Sequence, residues 1–456
     1  MLKRVLIANR GEIAVRIIRA LREMEIPSVA VYSREDRNSL HIRLADSKVC
    51  IGEGAARNTY LNMDALITAA KNMGCDAVHP GYGFLSENSR FAEKCRENGL
   101  IFIGPEPSVI DSMGNKSAAR AMMRRAGVPV VPGSREAVYD AAEAQRIAEE
   151  IGFPVMIKAS SGGGGKGMRE CYAAEDFENE FITAQRESAN AFGDDAMYIE
   201  KLILHPRHVE VQILGDSEGH VAALGERDCS VQRNHQKLIE ESPSPAVTEE
   251  RRQEMLSAAV RAAEAVHYTG AGTIEFIVDQ DGAFYFMEMN TRIQVEHGVT
   301  ELVSGIDLVA EQLRVAAGEP LSFTQEQVLL RGHAIECRIN AEIPEQNFMP
   351  SPGRVTHLHL PGGNGVRVDT ALYTGYVIPP DYDSMIAKLM VYADTREAAI
   401  RKMRAALDET VILGVNTNLD FQYKIMQADA FREGRADTGF VEAFMQGGRA
   451  DESRSE

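Results

Sequence analysis

Residues 5–14 read VLIANRGEIA, an apolar run that leads through a short turn into a helical pattern. Further apolar runs and helical patterns alternate with it through the first hundred residues. Such alternation predicts a parallel sheet covered by helices, that is, a doubly wound α/β domain. The runs lie at 5–8, 29–32, 77–79 and 101–103, and the helical patterns lie near 12–24, 62–73 and 86–98, with Asn62 and Ser86 as the expected starts of the last two.

The turn at Asn9, Arg10 and Gly11 does not fit a dinucleotide site. A nucleotide-binding βαβ unit needs the pattern G-x-G-x-x-G, whose glycines let the backbone approach a pyrophosphate, and this turn lacks it. We therefore interpret the first domain as a scaffold. Its loop at 79–85, HPGYGFL, could still contribute to a site, because ligands of open α/β sheets bind at the carboxyl ends of strands.

The composition excludes several classes of protein. The formal net charge of −18 repels nucleic acid and anionic membrane surfaces. The six cysteines contain no CxxC pair, which argues for free thiols in a reducing compartment. The first apolar run is too short for a signal sequence, and no run of about 18 apolar residues follows. We therefore expect a cytoplasmic protein with no nucleic-acid or membrane partner.

The length of 456 residues suggests about three domains. A helical pattern from Asn115 to Ala126 and a Gly- and Pro-containing loop at 127–133 mark the first boundary. The smaller α+β segment at about 132–200 is expected to be mobile, and strand patterns dominate from there to about residue 330. We therefore expect domains at 1–114, 115–330 and 331–446 and a disordered tail at 447–456, with helices near 249–266, 395–409 and 418–428.

A glycine-rich loop joins two predicted strands, 155–158 and 168–171. Residues 160–167 read SSGGGGKG, and successive glycines leave the backbone amides free to fold over phosphate oxygens. Lys158 and Lys166 add positive charge, so the loop is similar to a phosphate-binding lid. It is not a Walker A loop, because both ends of that pattern differ and no helix follows. A plain flexible hairpin is the alternative.

Two further predicted strands carry a pair of glutamates. Residues 272–279 (GTIEFIVD) and 283–290 (AFYFMEMN) flank an Asp-Gly pair, the signal of a two-residue hairpin loop. That register places Glu275 opposite Glu288, where like charges destabilise a sheet unless something neutralises them. Asn290 shares their face, and carboxylate and amide oxygens suit Mg²⁺. The alternative is that one glutamate is protonated or paired with a lysine.

Alternate polar residues continue after the second of these strands. Arg292, Gln294 and Glu296 recur at every second position, so we expect them on one side of an extended segment. A guanidinium can bind two oxygens of a small planar anion, an amide can orient that anion, and a carboxylate can accept a proton. The segment therefore suggests an acid–base site with its own anion-binding groups. The alternative is an exposed edge strand with mixed charges.

These stretches together resemble biotin carboxylase, the ATP-grasp component of biotin-dependent carboxylases. The resemblance covers nearly the whole chain, and its motifs are long and stand in the family's order. It implies an ATP-grasp fold with a mobile glycine-rich lid after the doubly wound domain, and a C-terminal α+β domain. The matching runs are 7–14, 79–88, 158–168, 226–233, 235–237, 288–297 and 336–342.

The resemblance also implies roles for individual residues. Glu296 would be the base for bicarbonate, Arg338 would stabilise the biotin enolate, and Arg292 and Lys237 would complete the catalytic set. Glu200 and the backbone of Lys201 and Ile203 would hold adenine, whereas Gln232 and His235 would reach the ribose. ATP phosphates would contact Lys116, Lys158, Gly163, Gly164, Gly165, Lys166, His208 and Lys237. Metal ligands would be Glu275, Glu288 and Asn290, and bicarbonate or biotin would contact Arg292, Gln294, the Val295 amide, Tyr82 and Arg338, with Asp383 as a neighbour.

The implied reaction is the ATP- and bicarbonate-dependent carboxylation of biotin through carboxyphosphate, with Mg²⁺ or Mn²⁺. It would be the first half-reaction of acetyl-CoA carboxylase in fatty acid synthesis. No Ala-Met-Lys-Met biotinylation motif occurs, so we expect a free-standing subunit that acts on a biotin carboxyl carrier protein beside carboxyltransferase subunits and, by resemblance, forms a homodimer. Gly298 stands where the family usually has proline, which predicts a looser turn, and Asn234 stands where arginine is frequent.

Other functions stay open. Carboxylases of pyruvate, of other 2-oxoacids or of other acyl-CoA substrates use similar free subunits. Another ATP-grasp carboxylate–amine ligase would share the lid and the pair of metal-binding glutamates. It has no evident need for the bicarbonate-binding residues or for Arg338. A non-catalytic or dinucleotide-binding α/β protein is disfavoured by the missing glycine fingerprint.

Overall fold

The first hundred residues form the doubly wound domain that the strand–helix alternation predicts. The structure is a computed structural model and describes residues 2–159, 168–192 and 195–447. The strands of this domain are β1 (Val5–Ile7), β2 (Ser28–Tyr32), β3 (Ser47–Cys50), β4 (Ala77–His79) and β5 (Ile101–Phe102). Its helices are α1 (Gly11–Glu23), α2 (His41–Leu44), α3 (Met63–Asn72), α4 (Ser89–Glu97) and α5 (Pro107–Gly114). The sheet is parallel, with the order β3-β2-β1-β4-β5.

Helices cover both faces of this sheet. Val5 and Ile7 of β1 belong to one apolar cluster with residues of α1. Leu6, which lies between them, packs in a second cluster with Leu66 of α3 and Phe91 of α4. Because successive residues enter opposite cores, the strand has no polar side and appears in the sequence as an unbroken apolar run.

The expected start of α3 is confirmed, whereas that of α4 is wrong. Asn62 caps α3 through its side chain. Helix α4 begins at Ser89 with Asn88 as its N-cap, and the backbone N–H of Ser86 donates to the carbonyl of Gly83 in a turn before the helix. Serine and asparagine are equally good N-caps, so residue type did not distinguish them. The edge strand β3 was not expected, because its residues are half-exposed and form no apolar run.

A small antiparallel sheet with the order β7-β6-β8 follows. Helix α6 (Lys116–Arg125), whose residues Ala119 and Met123 pack in the core of the largest sheet, precedes it. The strands of the small sheet are β6 (Val155–Ala159), β7 (Met168–Cys171) and β8 (Met197–Lys201), and its helices are α7 (Ala141–Ile151) and α8 (Ala174–Phe192). It has an apolar cluster of its own, which includes Val155 and Phe177. The strands on either side of the glycine-rich loop pair as a hairpin. The loop itself, with Gly163, Gly164, Gly165 and Lys166, lies outside the described residues.

A mixed set of long and short strands makes up the rest of the chain. The strands are β9 (Arg207–Gly215), β10 (Val221–Arg233), β11 (Gln236–Ser242), β12 (Gly270–Val278), β13 (Phe284–Asn290), β14 (His333–Asn340), β15 (Glu342–Ile343), β16 (Met349–Pro350), β17 (Gly353–Arg354), β18 (His357–His359), β19 (Val366–Thr370), β20 (Val377–Ile378), β21 (Met385–Ala393) and β22 (Val411–Leu413). The helices are α9 (Glu249–Glu264), α10 (His297–Ser304), α11 (Leu308–Ala316), α12 (Arg396–Glu409), α13 (Leu419–Ile425), α14 (Asp429–Arg432) and α15 (Phe440–Met445).

The largest sheet has the order β13-β12-β9-β10-β11-β14-β21-β19. Strand β11 pairs with β14, with Ile239 opposite Cys337 and Glu240 opposite Glu336. The sheet is therefore continuous across the boundary expected near residue 330. As a result, Lys237 on β11 and Arg338 on β14 lie on neighbouring strands.

The β12–β13 hairpin places Glu275 opposite Glu288, as the sequence predicts. Its loop is one residue longer than expected, because the backbone N–H of Asp279 donates to the carbonyl of Ala283 at 2.9 Å. Gly282 closes this loop at a φ of +79°, a conformation that glycine adopts easily. A bulge beyond Glu275 then shifts the register back by one residue. The predicted pair is right because these two departures cancel, and the predicted two-residue loop is wrong.

The residues of the expected disordered tail from 448 onwards lie outside the described part of the chain. Among the residues that the structure describes, no helix is both long enough and apolar enough to cross a membrane.

Candidate active site

A cavity of about 1,320 Å³ lies where the doubly wound domain meets the largest sheet. Most of the site residues predicted from the sequence line its wall. These are Tyr82, Lys116, His208, Gln232, His235, Lys237, Glu275, Glu288, Asn290, Arg292, Gln294, Val295, Arg338 and Asp383. Glu296 lies directly behind the wall, since it is fully buried and contacts two of these residues, Lys237 and Arg338.

Lys237 is held by three carboxylates. Its Nζ lies 2.6 Å from Glu210 Oε2, 3.0 Å from Glu275 Oε1 and 2.6 Å from Glu296 Oε1. Burial alone would lower the pKa of Lys237, but the surrounding acidic groups raise it well above its ordinary value. The ammonium therefore stays charged, and it links the two predicted functional glutamates, Glu275 and Glu296, to each other.

Glu210 is a site residue that the sequence analysis missed. Arg227, which is fully buried, donates to Glu210 Oε1 from Nε at 2.6 Å, to Gln212 Oε1 at 2.7 Å and to Thr300 Oγ1 at 2.9 Å. This arginine fixes the carboxylate that in turn holds Lys237. A signal was present in the sequence, because polar residues occupy alternate positions of the otherwise apolar strand β9.

Glu296 lies between two cations. Its Oε1 accepts from Lys237, and its Oε2 accepts from Arg338 at 3.0 Å. Burial would raise the pKa of Glu296, but Lys237, Arg338 and Arg227 hold it well below its ordinary value. Arg338 is itself oriented by Glu240, to which its Nε donates at 2.6 Å. The carboxylate is therefore ionised and fixed in direction.

The two glutamates predicted to bind a metal each have a lysine partner, which is the alternative left open above. Glu275 contacts Lys237, and its pKa is lowered mainly by that lysine although burial would raise it. Glu288 Oε2 lies 3.1 Å from Lys116 Nζ, whose side chain is 78% exposed. An exposed lysine is a weak partner that a divalent cation can replace at little cost. Carboxylate and amide oxygens suit Mg²⁺ or Mn²⁺, but Glu275 Oε1 already accepts from Lys237, Asn290 and Gln294, so this argument applies only to Glu288. Metal binding stays a prediction.

Asn290 and Gln294 connect Glu275, one of the two predicted metal ligands, to the predicted anion site. The side-chain amides of both donate to Glu275 Oε1 at 3.0 Å. Arg292 in turn donates to Gln294 Oε1 at 2.6 Å and to Asn290 Oδ1 at 2.9 Å. Its Nε donates to Glu87 Oε2 at 3.0 Å, which is a contact from the doubly wound domain that the sequence analysis missed.

The segment that carries Arg292, Gln294 and Glu296 is not the extended one expected. Strand β13 ends at Asn290, and residues 291–296 form no strand before α10 begins. Gln294 is 5% exposed and Glu296 is fully buried, so the alternative of an exposed edge strand is also wrong. The chain turns here before α10 begins. Arg292 bonds directly to Gln294, whereas Glu296 is linked to Gln294 only through Lys237 and Glu275.

The predicted adenine contacts lie apart from the wall of the cavity. The Glu200 carboxylate is paired with Arg120 and, at 2.5 Å, with Lys158. Burial would raise the pKa of Glu200, but these cations lower it. The backbone N–H of Lys201 donates to the carbonyl of Pro132 at 2.8 Å. The Glu200 side chain and the Lys201 N–H are therefore engaged within the protein, and Ile203 lies in the loop after β8.

The two departures from the family pattern have clear structural settings. Asn234 and His235 form the turn between β10 and β11, with φ values of +49° and +63°. Gly298 lies inside α10, where an added Cβ atom would overlap Met390 Sδ. The expected looser turn is wrong, because this position is helical and tightly packed, and a larger residue would require Met390 to move.

Comparison with known proteins matches the chain over nearly its whole length. Three family models match in succession: the N-terminal domain of biotin carboxylase over residues 1–110, the ATP-binding domain of the carbamoyl-phosphate synthase L chain over 115–324, and the C-terminal domain of biotin carboxylase over 336–443.

Individual relatives agree with these matches. A biotin carboxylase of Nostoc is 55% identical, with 96% of this chain and 98% of the relative covered. A pyruvate carboxylase subunit of Methanothermobacter thermautotrophicus is 52% identical, with 98% and 91% covered. The crystal structure of the biotin carboxylase domain dimer of Hydrogenobacter thermophilus 2-oxoglutarate carboxylase, in complex with MgADP, ADP and bicarbonate, is 47% identical with a TM-score of 0.86 and 98% of each chain covered. The chain therefore belongs to the biotin carboxylase family and is an ATP-dependent ligase with the ATP-grasp fold.

Proposed function

We propose that the enzyme carboxylates biotin on a separate carrier protein, with ATP and bicarbonate as the other substrates and carboxyphosphate as the intermediate. The observation that carries this proposal is the position of Glu296 between Lys237 and Arg338, at 2.6 and 3.0 Å. One carboxylate, the proposed base, therefore contacts both a cation that can bind phosphate and a cation that can stabilise an enolate oxygen.

The groups beside Glu296 suit bicarbonate, a small planar anion. The Arg292 guanidinium can bind two of its oxygens, and its contact with Gln294 holds both side chains ready. The Val295 amide would supply a third donor. Binding these oxygens would place the bicarbonate proton next to the Glu296 carboxylate, which is the acceptor we assign to it.

Lys237 would link the base to phosphoryl transfer. While Lys237 and Arg338 both bond to Glu296, they hold its pKa low, which makes it a weak base. When Lys237 turns towards the γ-phosphate of ATP, Glu296 loses one of its cations and its pKa rises. The base would therefore become stronger as bicarbonate attacks the phosphate.

The second half of the reaction would use Arg338. Carboxyphosphate would release carbon dioxide inside the cavity, and the departing phosphate would remove the proton from the biotin ureido nitrogen. The Arg338 guanidinium would stabilise the resulting enolate oxygen, and its bond to Glu240 keeps it in place for that role. Tyr82 and Asp383 line the same cavity and would be neighbours of biotin.

The nucleotide side of the site would hold ATP and its metal. Glu275 and Glu288, with the amide oxygen of Asn290, would bind Mg²⁺ or Mn²⁺, which neutralises charge on the β- and γ-phosphates when bound. The glycine-rich loop would cover the phosphates. The further ATP contacts we propose are Lys116, Lys158, Lys166, Glu200, Lys201, Ile203, His208, Gln232 and His235.

The final acceptor that we propose is acetyl-CoA, reached through a biotin carboxyl carrier protein and carboxyltransferase subunits in fatty acid synthesis. The relative from Methanothermobacter, which is named as part of pyruvate carboxylase, supports pyruvate as a second candidate acceptor. We further propose a homodimer, because the Hydrogenobacter domain is described as a dimer. We place it in the cytoplasm, since free cysteines are typical of a reducing compartment.

Bicarbonate-dependent ADP formation in the presence of Mg²⁺ and free biotin tests the chemistry. We expect biotin to stimulate the rate and labelled bicarbonate to enter carboxybiotin. ATP hydrolysis that ignores both bicarbonate and biotin in active, metal-loaded protein would instead favour a carboxylate–amine ligase. Reconstitution with the carrier and a carboxyltransferase, supplied with acetyl-CoA or pyruvate, then identifies the acceptor.

A further inference from the structure

The segment between β13 and α10, residues 291–296, has no regular secondary structure, yet it carries the proposed bicarbonate-binding groups. Its backbone is therefore held by a turn and by side-chain bonds rather than by a helix or a sheet, and the N–H of His297 donates to the carbonyl of Gln294 at 3.3 Å. Two peptide units flank Val295, one shared with Gln294 and one shared with Glu296. Both are trans, so the C=O and N–H of each unit point in opposite directions.

His297 fixes the first of these peptide units. Its Nδ1 lies 2.8 Å from the carbonyl oxygen of Gln294, and because that oxygen can only accept, Nδ1 carries the hydrogen. The ring is fully buried, and burial lowers the pKa of His297 well below its ordinary value, so the ring is neutral. With the Gln294 carbonyl held on the buried side, the Val295 N–H is directed to the other side, where Val295 lines the cavity.

Lys388 fixes the second peptide unit. Its side chain is fully buried on β21, and its Nζ donates to the carbonyl of Val295 at 2.6 Å. Glu12 Oε1 lies 3.6 Å from the same Nζ. Burial alone would lower the pKa of Lys388, but Glu12, Glu336 and Asp369 raise it, so the ammonium is charged. A charged donor to a backbone carbonyl makes a bond about twice as strong as a neutral donor makes.

We propose that Lys388 and His297 are positioning residues that aim the Val295 N–H at bicarbonate and hold Glu296 beside it. Neither side chain belongs to the wall of the cavity, so both act through the backbone. The inference rests on the proposed function, because it assumes that the Val295 amide binds bicarbonate. It adds that the anion site depends on a buried ammonium from the C-terminal part of the chain.

The test is Lys388→Met, which keeps the length of the apolar stem and removes the donor. We expect the KM for bicarbonate to rise about tenfold or more, the loss expected when a hydrogen bond to an anion is misdirected, while the KM for ATP stays within about twofold. The matched control is Lys402→Met. Lys402 also donates to backbone carbonyls, those of Tyr392 at 2.6 Å and Asn364 at 2.9 Å, but it lies outside the site. It should leave both KM values unchanged.

Two further variants cover the case in which Lys388→Met does not fold. Lys388→Met combined with Glu336→Gln also removes a buried carboxyl group that would lose its nearby cation, and His297→Phe removes the other donor. A selective rise in the KM for bicarbonate in either folded variant supports the proposal. Equal changes in both KM values, an unchanged KM for bicarbonate, or failure of all three variants to fold would overturn it. Absence of bicarbonate-dependent turnover in the unsubstituted enzyme would instead refute the proposed function.

Discussion

Replacing Arg227 with methionine should destabilise the enzyme strongly, although Arg227 does not line the cavity. The substitution keeps an unbranched apolar side chain and removes the guanidinium. Four buried acceptors then lose a donor, namely Glu210, Gln212, Thr273 and Thr300. Of these, only Glu210 is charged, and Lys237 at 2.6 Å remains as its cation.

The size of the effect follows from burial. Both Arg227 and Glu210 have fully buried side chains, and removal of one partner of such a pair costs about 3–5 kcal/mol. The remaining contact with Lys237 offsets part of this cost, so we expect a loss of about 3 kcal/mol. Burial already raises the pKa of Glu210, and loss of the guanidinium should raise it further.

Urea denaturation followed by far-UV circular dichroism measures this loss, since the chain contains no tryptophan to report by fluorescence. The matched control is Arg34→Met, whose ion pair with Glu53 is exposed and should contribute almost nothing. The double variant with Glu210→Gln should recover part of the stability, because both charges are then absent. If Arg227→Met is as stable as the control, the buried pair does not hold the site together as we infer.

Three other variants test separate features. Glu296→Gln should lower bicarbonate-dependent turnover about 100-fold or more while ATP binding is retained, as ADP formation and calorimetry would show; normal turnover would rule out its role as the base. Gly298→Ala should cost about 1–3 kcal/mol in urea denaturation through contact with Met390, and Met390→Ala should relieve that cost; equal stability in both backgrounds would contradict the packing. Burial lowers the pKa of His41 from 6.5 to about 4, so the unfolded chain binds a proton at this ring more readily than the folded chain does. The stability that the neutral ring contributes is therefore present above pH 6.5 and is lost as the pH falls towards about 4. His41→Gln should flatten the stability profile in that window, and an identical profile would show that His41 does not titrate there.

Local signals in the sequence predicted the parts of the fold that depend on local chemistry. The apolar runs of the doubly wound domain are unbroken because helices cover both faces, and the cap of α3 needs only Asn62 and its own helix. The Glu275–Glu288 pair was also predicted, but a longer loop and a bulge compensate for each other there. The pairing was therefore right only because these two departures cancel, and the loop type that was used to derive it was wrong.

The residues that were missed reach the site from distant parts of the chain. Glu87 comes from the doubly wound domain and contacts Arg292, and Lys388 comes from β21 and contacts the backbone of Val295. No neighbouring residue in the sequence indicates either contact, because the partners lie far apart in the chain and meet only in the fold. Glu210 is different, because its alternation with apolar residues in β9 could have been read as a polar stripe facing a site.

The pairing of β11 with β14 limits how proteins of this architecture can exchange modules. A chimera that joined the first 330 residues to a foreign C-terminal part would have to match a strand edge as well as a linker, because hydrogen bonds cross that junction. It would also replace Arg338 with the corresponding residue of the other protein. Recombination at this boundary would therefore change the chemistry of the site as well as the C-terminal part. Successful swaps should therefore cut the gene elsewhere.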